Sequence, residues 1–243
     1  MQYIFALVLS FLCSANALAA PLKYNVDASG SWYPYTTSSE NAPGLIKEFV
    51  IEVMQQANVD IQYVPLPAKR INQFMQNKQL DFEVISPSWL SEEEKNDPQF
   101  VFSDALFPVR EYLVTTSAKE QYYLDIDSIF GNKVGTVRGY FYHDDEKFER
   151  VDFESERELI MALGKKRINV AIIGDLPAKY WSKKLGVPVV FAAEHSDGQL
   201  HLRLRAEHAH LLPKINTAIS TLKSGKTLTR LEHKYLQHFN SEH

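Results

Sequence analysis

The stretch Asn169-Val-Ala-Ile-Ile-Gly-Asp175-Leu-Pro-Ala-Lys-Tyr-Trp181 sets a short apolar run against a glycine, an acid and a segment suited to a helix. Val170 to Ile173 has the composition of a strand buried on both faces, as in a parallel sheet covered by helices. In open α/β sheets, ligands bind in the crevice beyond the carboxyl ends of the strands. Asp175 therefore stands where a carboxylate meets a small molecule. Asp is also a favoured helix N-cap, and Pro177 suits a first helical turn, so capping is the competing reading. One carboxylate can do both, because its two oxygens accept separately.

Working outward, the same alternation repeats along the chain. Leu22 to Val26 reads as a strand running into Trp32-Tyr-Pro-Tyr35, a loop with three aromatics. Pro43-Gly44 opens a helix in which Leu45, Phe49 and Val53, flanked by Ile46, Val50 and Met54, form a broad buried face. Ile61 to Val64 is a second strand, Pro67-Ala-Lys-Arg70 starts a second helix, and Phe82 to Ile85 is a third strand. Glu92 to Asp97 is a charged break, read as a solvated loop or short helix. Arg110 to Thr116 leaves this first unit as a strand.

A second unit follows. Lys133 to Val137 is a strand ending in Arg138-Gly139-Tyr140, and Ser155-Glu-Arg-Glu158 is a capping-box pattern before Leu159, Ile160 and Leu163. After Asp175, Val187 to Phe191 and Leu200 to Leu204 read as separate strands. Two amphipathic helices close the chain, the first ending at Gly225. Strands alternating with helices predict βαβ units and a largely parallel sheet.

The N-terminus carries an apolar run, Tyr3 to Leu12, too short to span a bilayer, followed by Ala17-Leu18-Ala19. This predicts a cleavable signal peptide over residues 1–19 and a periplasmic protein without stable membrane insertion. Cys13 is the only cysteine, so the mature chain forms no disulfide. Net charge is −4 with both signs mixed and no dense basic block, which argues against nucleic acid as a partner. His208 and His210 are two apart and the other histidines are scattered, so no metal site and no cofactor are predicted. No phosphate-binding glycine loop or nucleophile motif is present.

Several of these segments, taken in order, resemble the periplasmic solute-binding proteins of family 3, the amino-acid-binding type. They are Trp32-Tyr-Pro-Tyr35, Gly44-Leu45, Arg70 with Leu80-Asp81, Phe102-Ser103-Asp104, Ile129 to Gly135 with Gly139, Leu163 to Asn169 with Asp175, and the terminal helices with Gly225 and Tyr235. The resemblance implies a type II periplasmic-binding-protein-like fold, two α/β lobes joined by two crossing strands with a ligand cleft between them. Lobe 1 would comprise residues 20–110 and 205–243, and lobe 2 residues 111–204 with the hinge strands.

The departures from the family pattern bear on the ligand. Such proteins clamp the ligand carboxylate with an arginine shortly after the third strand, using bidentate geometry. Here that run is Ser91-Glu-Glu-Glu-Lys95, with Glu93 at the ungapped position and Lys95 there after a small shift. Small hydroxyl residues that follow the second-lobe glycine are replaced by Tyr140 and Phe141.

The expected ligand-binding set is Trp32, Tyr33, Tyr35, Arg70, Ser86, Ser88, Arg138, Tyr140 and Asp175. The aromatics would stack on the ligand, Ser86 and Ser88 would offer hydroxyls, and Asp175 would meet an amino group. Arg70, Arg110 or Arg138 would replace the missing cation. Each has a structural alternative: the aromatics covering the sheet end, Arg70 on the surface, the serines satisfying a turn around Pro87. The expected function is capture of a small polar solute, amino-acid-like or amine-bearing, by a monomer without catalytic residues. An ABC-transporter permease is the implied partner, with free-standing scavenging as the other form of that role. Two readings from other classes remain beside it. One is a dehydratase of prephenate-like compounds using Glu83, Glu93 or Asp175 as acid–base groups. The other is a sensing module for a membrane partner.

Overall fold

The computed structural model describes residues 20–237 apart from 27–29, 31, 38 and 117. The expected signal peptide, Cys13 and His238 lie outside the described residues. The chain folds as two α/β lobes. In the first, β1 (Leu22–Asn25) leads to α1 (Leu45–Gln56), then β2 (Ile61–Tyr63), α2 (Ala68–Gln76) and β3 (Phe82–Ile85). A one-turn α3 (Glu92–Lys95) and a short β4 (Phe100–Phe102) follow. β1 lies between β2 and β3, parallel to both, as the βαβ pattern predicts.

Strand β5 (Phe107–Thr115) crosses to the second lobe, which contains β6 (Lys133–Val137), β7 (Glu149–Phe153), α4 (Glu156–Gly164), β8 (Val170–Gly174) and α5 (Asp175–Leu185). Strand β9 (Val190–Arg205) then returns to the first lobe, where α6 (Leu212–Ser224) and α7 (Thr227–Leu236) close the chain. The two crossing strands run antiparallel to each other from Phe107↔Leu200 to Thr115↔Val190. Beyond this shared ladder β9 pairs with β3 and β4, while the other edge of β5 pairs with β8 from Glu111 to Thr115. The strand order is therefore β2-β1-β3-β9-β5-β8-β6-β7, continuous through both lobes.

The sequence pattern treats Val187–Phe191 and Leu200–Leu204 as two strands; the fold makes them one. Glu194-His-Ser-Asp-Gly198 reads as a polar turn because none of it suits a hydrophobic face. In the structure its side chains have partners on β5 and in a neighbouring loop. Tyr112 donates to Glu194 at 3.3 Å, Ser196 donates to Glu111 at 3.0 Å, and Asp197 pairs with Arg110 at 3.4 Å. Strand β7 is also absent from the sequence pattern, since its alternation is that of a charged edge strand.

The apolar stripes bury as their spacing requires. Leu45, Ile46, Phe49, Val50, Val53 and Met54 of α1 are all fully buried, in one cluster with Ile215 and Ile219 of α6 and Leu231 and Tyr235 of α7. Burying each large side chain contributes about 1.5–3 kcal/mol, enough to fix the terminal helices on the first lobe. Val170 to Ile173 is buried throughout, within the two second-lobe cores.

Ser155 caps α4 by accepting the Glu158 amide at 3.3 Å, while the Glu158 carboxylate takes the Glu154 amide in place of that of Ser155. The complete reciprocal box occurs instead at Ser91 and Glu94, where it holds the one-turn α3. For α5 the cap position falls on Gly174, and Asp175 is the first helical residue. Among the described residues, no helix is long and apolar enough to cross a membrane.

Candidate functional site

The carboxyl ends of β1 and β3, the start of α2 and the loop after β6 converge between the lobes on a cavity of about 60 Å³. From the first lobe it is lined by Asn25, Val26, Trp32, Ala68, Ile71, Asn72, Glu83, Val84, Ile85 and Trp89. Glu111, Gly139, Tyr140 and Phe141 complete it from the crossing strand and the second lobe. Gly139 is what allows the closure. Its φ is +84°, and a Cβ there would collide with the Lys69 backbone at the N-terminus of α2. Arg150 fixes the same loop, donating to the carbonyls of Val137 and Tyr140 at 3.1 Å each and to Asp145 at 3.0 Å. The Tyr140 hydroxyl donates to Glu156 at 2.7 Å.

Two carboxylates face this space, each held from behind. Arg203 of β9 donates through Nε at 2.8 Å, and through one terminal nitrogen, to Oε1 of Glu83. Both residues are buried, and the guanidinium carbon lies 4.7 Å from the Phe100 ring centre and 5.6 Å from that of Phe141. Glu111 accepts from Ser196 through Oε2, and His195 Nδ1 lies 3.5 Å from the same oxygen. Nε2 of His195 meets Asp144 at 2.9 Å. Burial by itself lowers the His195 pKa, but the bond to Asp144 and the nearby Glu111 carboxylate outweigh it and push it up to about 9.

The lobes meet at further points. The rings of Tyr33 and Tyr180 stack with centres 3.8 Å apart, and Leu176 of α5 packs on the first-lobe core. This is a closed arrangement.

Of the nine residues expected from the sequence, Trp32 and Tyr140 line the cavity. Tyr33 engages Tyr180 instead, and its hydroxyl donates to the Tyr235 carbonyl at 3.4 Å. Tyr35 is buried in the first-lobe core, its ring centre 4.4 Å from that of Trp32. Ser86 and Ser88 bond each other at 2.8 Å and crowd against Gly198, where a Cβ would strike both hydroxyls. Arg70 is exposed in the first turn of α2, and Arg138 pairs with Glu154. Asp175 lies outside the lining and pairs with Lys179 at 3.8 Å; burial raises its pKa.

The lining residues absent from the expected set are chiefly Asn25, Asn72, Glu83, Trp89, Glu111 and Phe141. A usable signal existed for two of them. Glu83 and Glu111 are charged residues inside runs otherwise read as strands, and both are buried. Asn72 and Trp89 carry no sequence signal, because nothing local places an exposed helix residue or a turn indole on a cleft.

A family model for bacterial extracellular solute-binding proteins, family 3, matches residues 24–238. No curated protein sequence gave a significant match. Among solved structures, a mutant of ArgBP from T. maritima superposes with a TM-score of 0.73 at 18% identity, covering 89% of this chain and 95% of that one. A histidine kinase sensor domain with similarity to periplasmic binding proteins gives 0.73 at 15% identity, covering 89% and 96%. The ancestral amino acid-binding protein AncCDT-1, a precursor of cyclohexadienyl dehydratase, gives 0.68 at 18% identity, covering 88% and 95%. These likenesses are to type II periplasmic binding proteins and bear on the fold. With the family match spanning nearly all of the described residues, the chain belongs to the bacterial extracellular solute-binding proteins, family 3.

Proposed function

We propose that this protein captures a small amine-bearing solute between its lobes and releases it unchanged. One observation carries the reading. Glu83 and Glu111 line one cavity, whose lining among the described residues includes no lysine, arginine or histidine. Arg203 bonds only Oε1 of Glu83, and Ser196 and His195 approach only Oε2 of Glu111. Each carboxylate thus keeps an oxygen to accept from a ligand N–H. Trp32, Trp89, Tyr140 and Phe141 supply aromatic walls of the kind that attract a cation and bury its apolar body.

In this reading residues 20–110 and 205–243 close against 111–204 by a hinge in the two crossing strands. Glu83 and Glu111 hold the amine, Trp32 and Tyr140 flank it, and Asp175 stays at the rim. An α-amino acid is a poorer guess than a plain amine, because the lining offers its carboxylate no cation. Amino-acid-binding proteins among the structural neighbours support the class of ligand more than its identity. The expected setting is the periplasm, as a monomer, with delivery to an ABC-type permease. The sensor-domain neighbour motivates a second role for the same closed form, presentation to a membrane partner.

A thermal-shift screen of amines, amino acids and small carboxylic acids tests the ligand class. Amines should raise the melting temperature in wild type and not in Glu111→Gln. A response confined to carboxylic acids would reject the reading, and product formed from a bound compound would make the protein an enzyme.

A further inference from the structure

The geometry points to a site for a divalent d-block cation of the zinc class, formed by His143, Asp144 and His195. Each residue offers a ligand atom, and these atoms all lie within 4.8 Å of one another. Asp144 Oδ1 is 2.9 Å from His195 Nε2, and its Oδ2 is 4.0 Å from His143 Nε2. Donors around a tetrahedral zinc with bonds of 2.0–2.1 Å stand roughly 3.3 Å apart. The first separation falls below that value and the second, to the other carboxylate oxygen, lies above it, so a rotation of the half-exposed His143 side chain toward Asp144 brings the donors to bonding distance. The imidazole rings lie at a tilt of 36° to each other, centres 4.7 Å apart.

An independent observation is the group behind the ring. His195 Nδ1 is buried and makes no hydrogen bond among the described residues, but Glu111 Oε2 stands 3.5 Å from it, and Ser196 anchors that oxygen at 3.0 Å. A carboxylate that near the far nitrogen favours a proton there, the tautomer that leaves the other nitrogen to a metal, and a small approach would complete the bond that metal-ligating histidines make to such a partner. The side chains of His195 and Asp144 are almost fully buried, while His143 is 36% exposed. His143 also lies on a polar groove shared with Glu94, Asp145 and Glu146, which gives an entry route. Two histidines and one carboxylate leave the fourth position to water, the donor set of an accessible zinc site. Binding would expel the proton that His195 Nε2 otherwise shares with Asp144.

The other acid–histidine group, Asp81, Glu207 and His208, does not carry this inference. Asp81 already accepts the Lys23 amide at 2.7 Å, and Glu207 is held by Arg205 through both oxygens.

The test uses untagged protein stripped with EDTA and titrated with Zn²⁺ by calorimetry, and with Co²⁺ by visible absorption. One equivalent of Zn²⁺ per chain and intense d–d bands of a four-coordinate Co²⁺ centre are expected. His143→Ala, at a half-exposed position, should abolish the Co²⁺ bands and weaken Zn²⁺ about 100-fold or more. Glu111→Gln should weaken it about 10–100-fold, while His208→Ala leaves both signals intact. Failure to take up a stoichiometric ion overturns the proposal, leaving a buried histidine–aspartate ion pair. So does uptake that survives both His143→Ala and Asp144→Asn. If Asp144→Asn does not fold by circular dichroism, His143→Ala alone decides.

Discussion

Arg203 grips a single oxygen of Glu83 with two of its nitrogens, leaving the other carboxylate oxygen as an acceptor at the cavity wall. The pair is buried and sits on adjacent strands at a directly opposed register position, Glu83↔Arg203. Arg203→Met should destabilise the protein by about 3–5 kcal/mol, because it strands a buried carboxylate. The double variant Arg203→Met with Glu83→Gln should recover most of that loss while still failing to bind ligand. Urea denaturation with ligand titration checks both. A destabilisation equal in single and double variants would mean that the cost is packing against Phe100 and Phe141.

Gly139→Ala should impair closure more than folding. The added methyl meets the Lys69 backbone of the other lobe, and φ +84° adds a conformational cost of about 1–2 kcal/mol. Ligand affinity should fall at least about tenfold, with a larger radius of gyration in solution scattering of the ligand-saturated protein. Unchanged affinity would show that the ligand is held without this contact.

Glu111 and Asp175 make opposite forecasts for ligand binding. Glu111→Gln should lower affinity by more than about tenfold, as expected for a lost charge-assisted hydrogen bond. Asp175→Ala should change it less than about twofold, since Asp175 lies outside the cavity lining and pairs with Lys179. Calorimetry on both variants distinguishes them, and the reverse order would move the amine subsite to the start of α5.

The terminal helix is held by an acid with a pH signature. Glu48 accepts from the Tyr235 hydroxyl at 2.6 Å and from Lys234 at 2.8 Å, and the same hydroxyl accepts the Gly44 amide at 3.2 Å. Burial pushes the Glu48 pKa up, but these bonds outweigh it and lower it overall. A lowered carboxylate pKa contributes stability above the unfolded-state value, and that stability is lost as pH falls through the folded value. Glu48→Gln should therefore cost about 1–2 kcal/mol at neutral pH, a difference that shrinks as pH falls below the ordinary carboxylate range. Melting curves across that range check it, and a pH-independent difference would assign the loss to shape.

The removal of the Tyr33–Tyr180 stack should loosen the closed state by about 0.5–1.5 kcal/mol. Tyr180→Ala should speed ligand release with little effect on the melting temperature of the ligand-free protein, measured by stopped flow and calorimetry. Tyr33 lies in the aromatic loop flagged by its composition, yet nothing in the sequence pairs it with a residue 147 positions away.

Much of the architecture is written in local patterns. The stripe from Leu45 to Met54, the apolar run Val170–Ile173 and the Ser155 cap each specify their own element, because periodicity and capping are short-range properties. Element order then specified two α/β units, and the family resemblance implied a cleft between them. The sequence did not reveal that Glu194–Gly198 is strand, since those polar residues are intelligible only beside Tyr112, Glu111 and Arg110. It also left the cavity lining incomplete. Glu83 and Glu111 share a cavity, and His143 and His195 share a carboxylate, only because the two crossing strands bring distant segments together. Asp175, the acid that the sequence put foremost, stands beside that lining, turned to Lys179. Hydrophobic periodicity determines which faces are buried; which charged groups meet between two lobes is a matter of pairing across long loops, and the tertiary structure alone decides it.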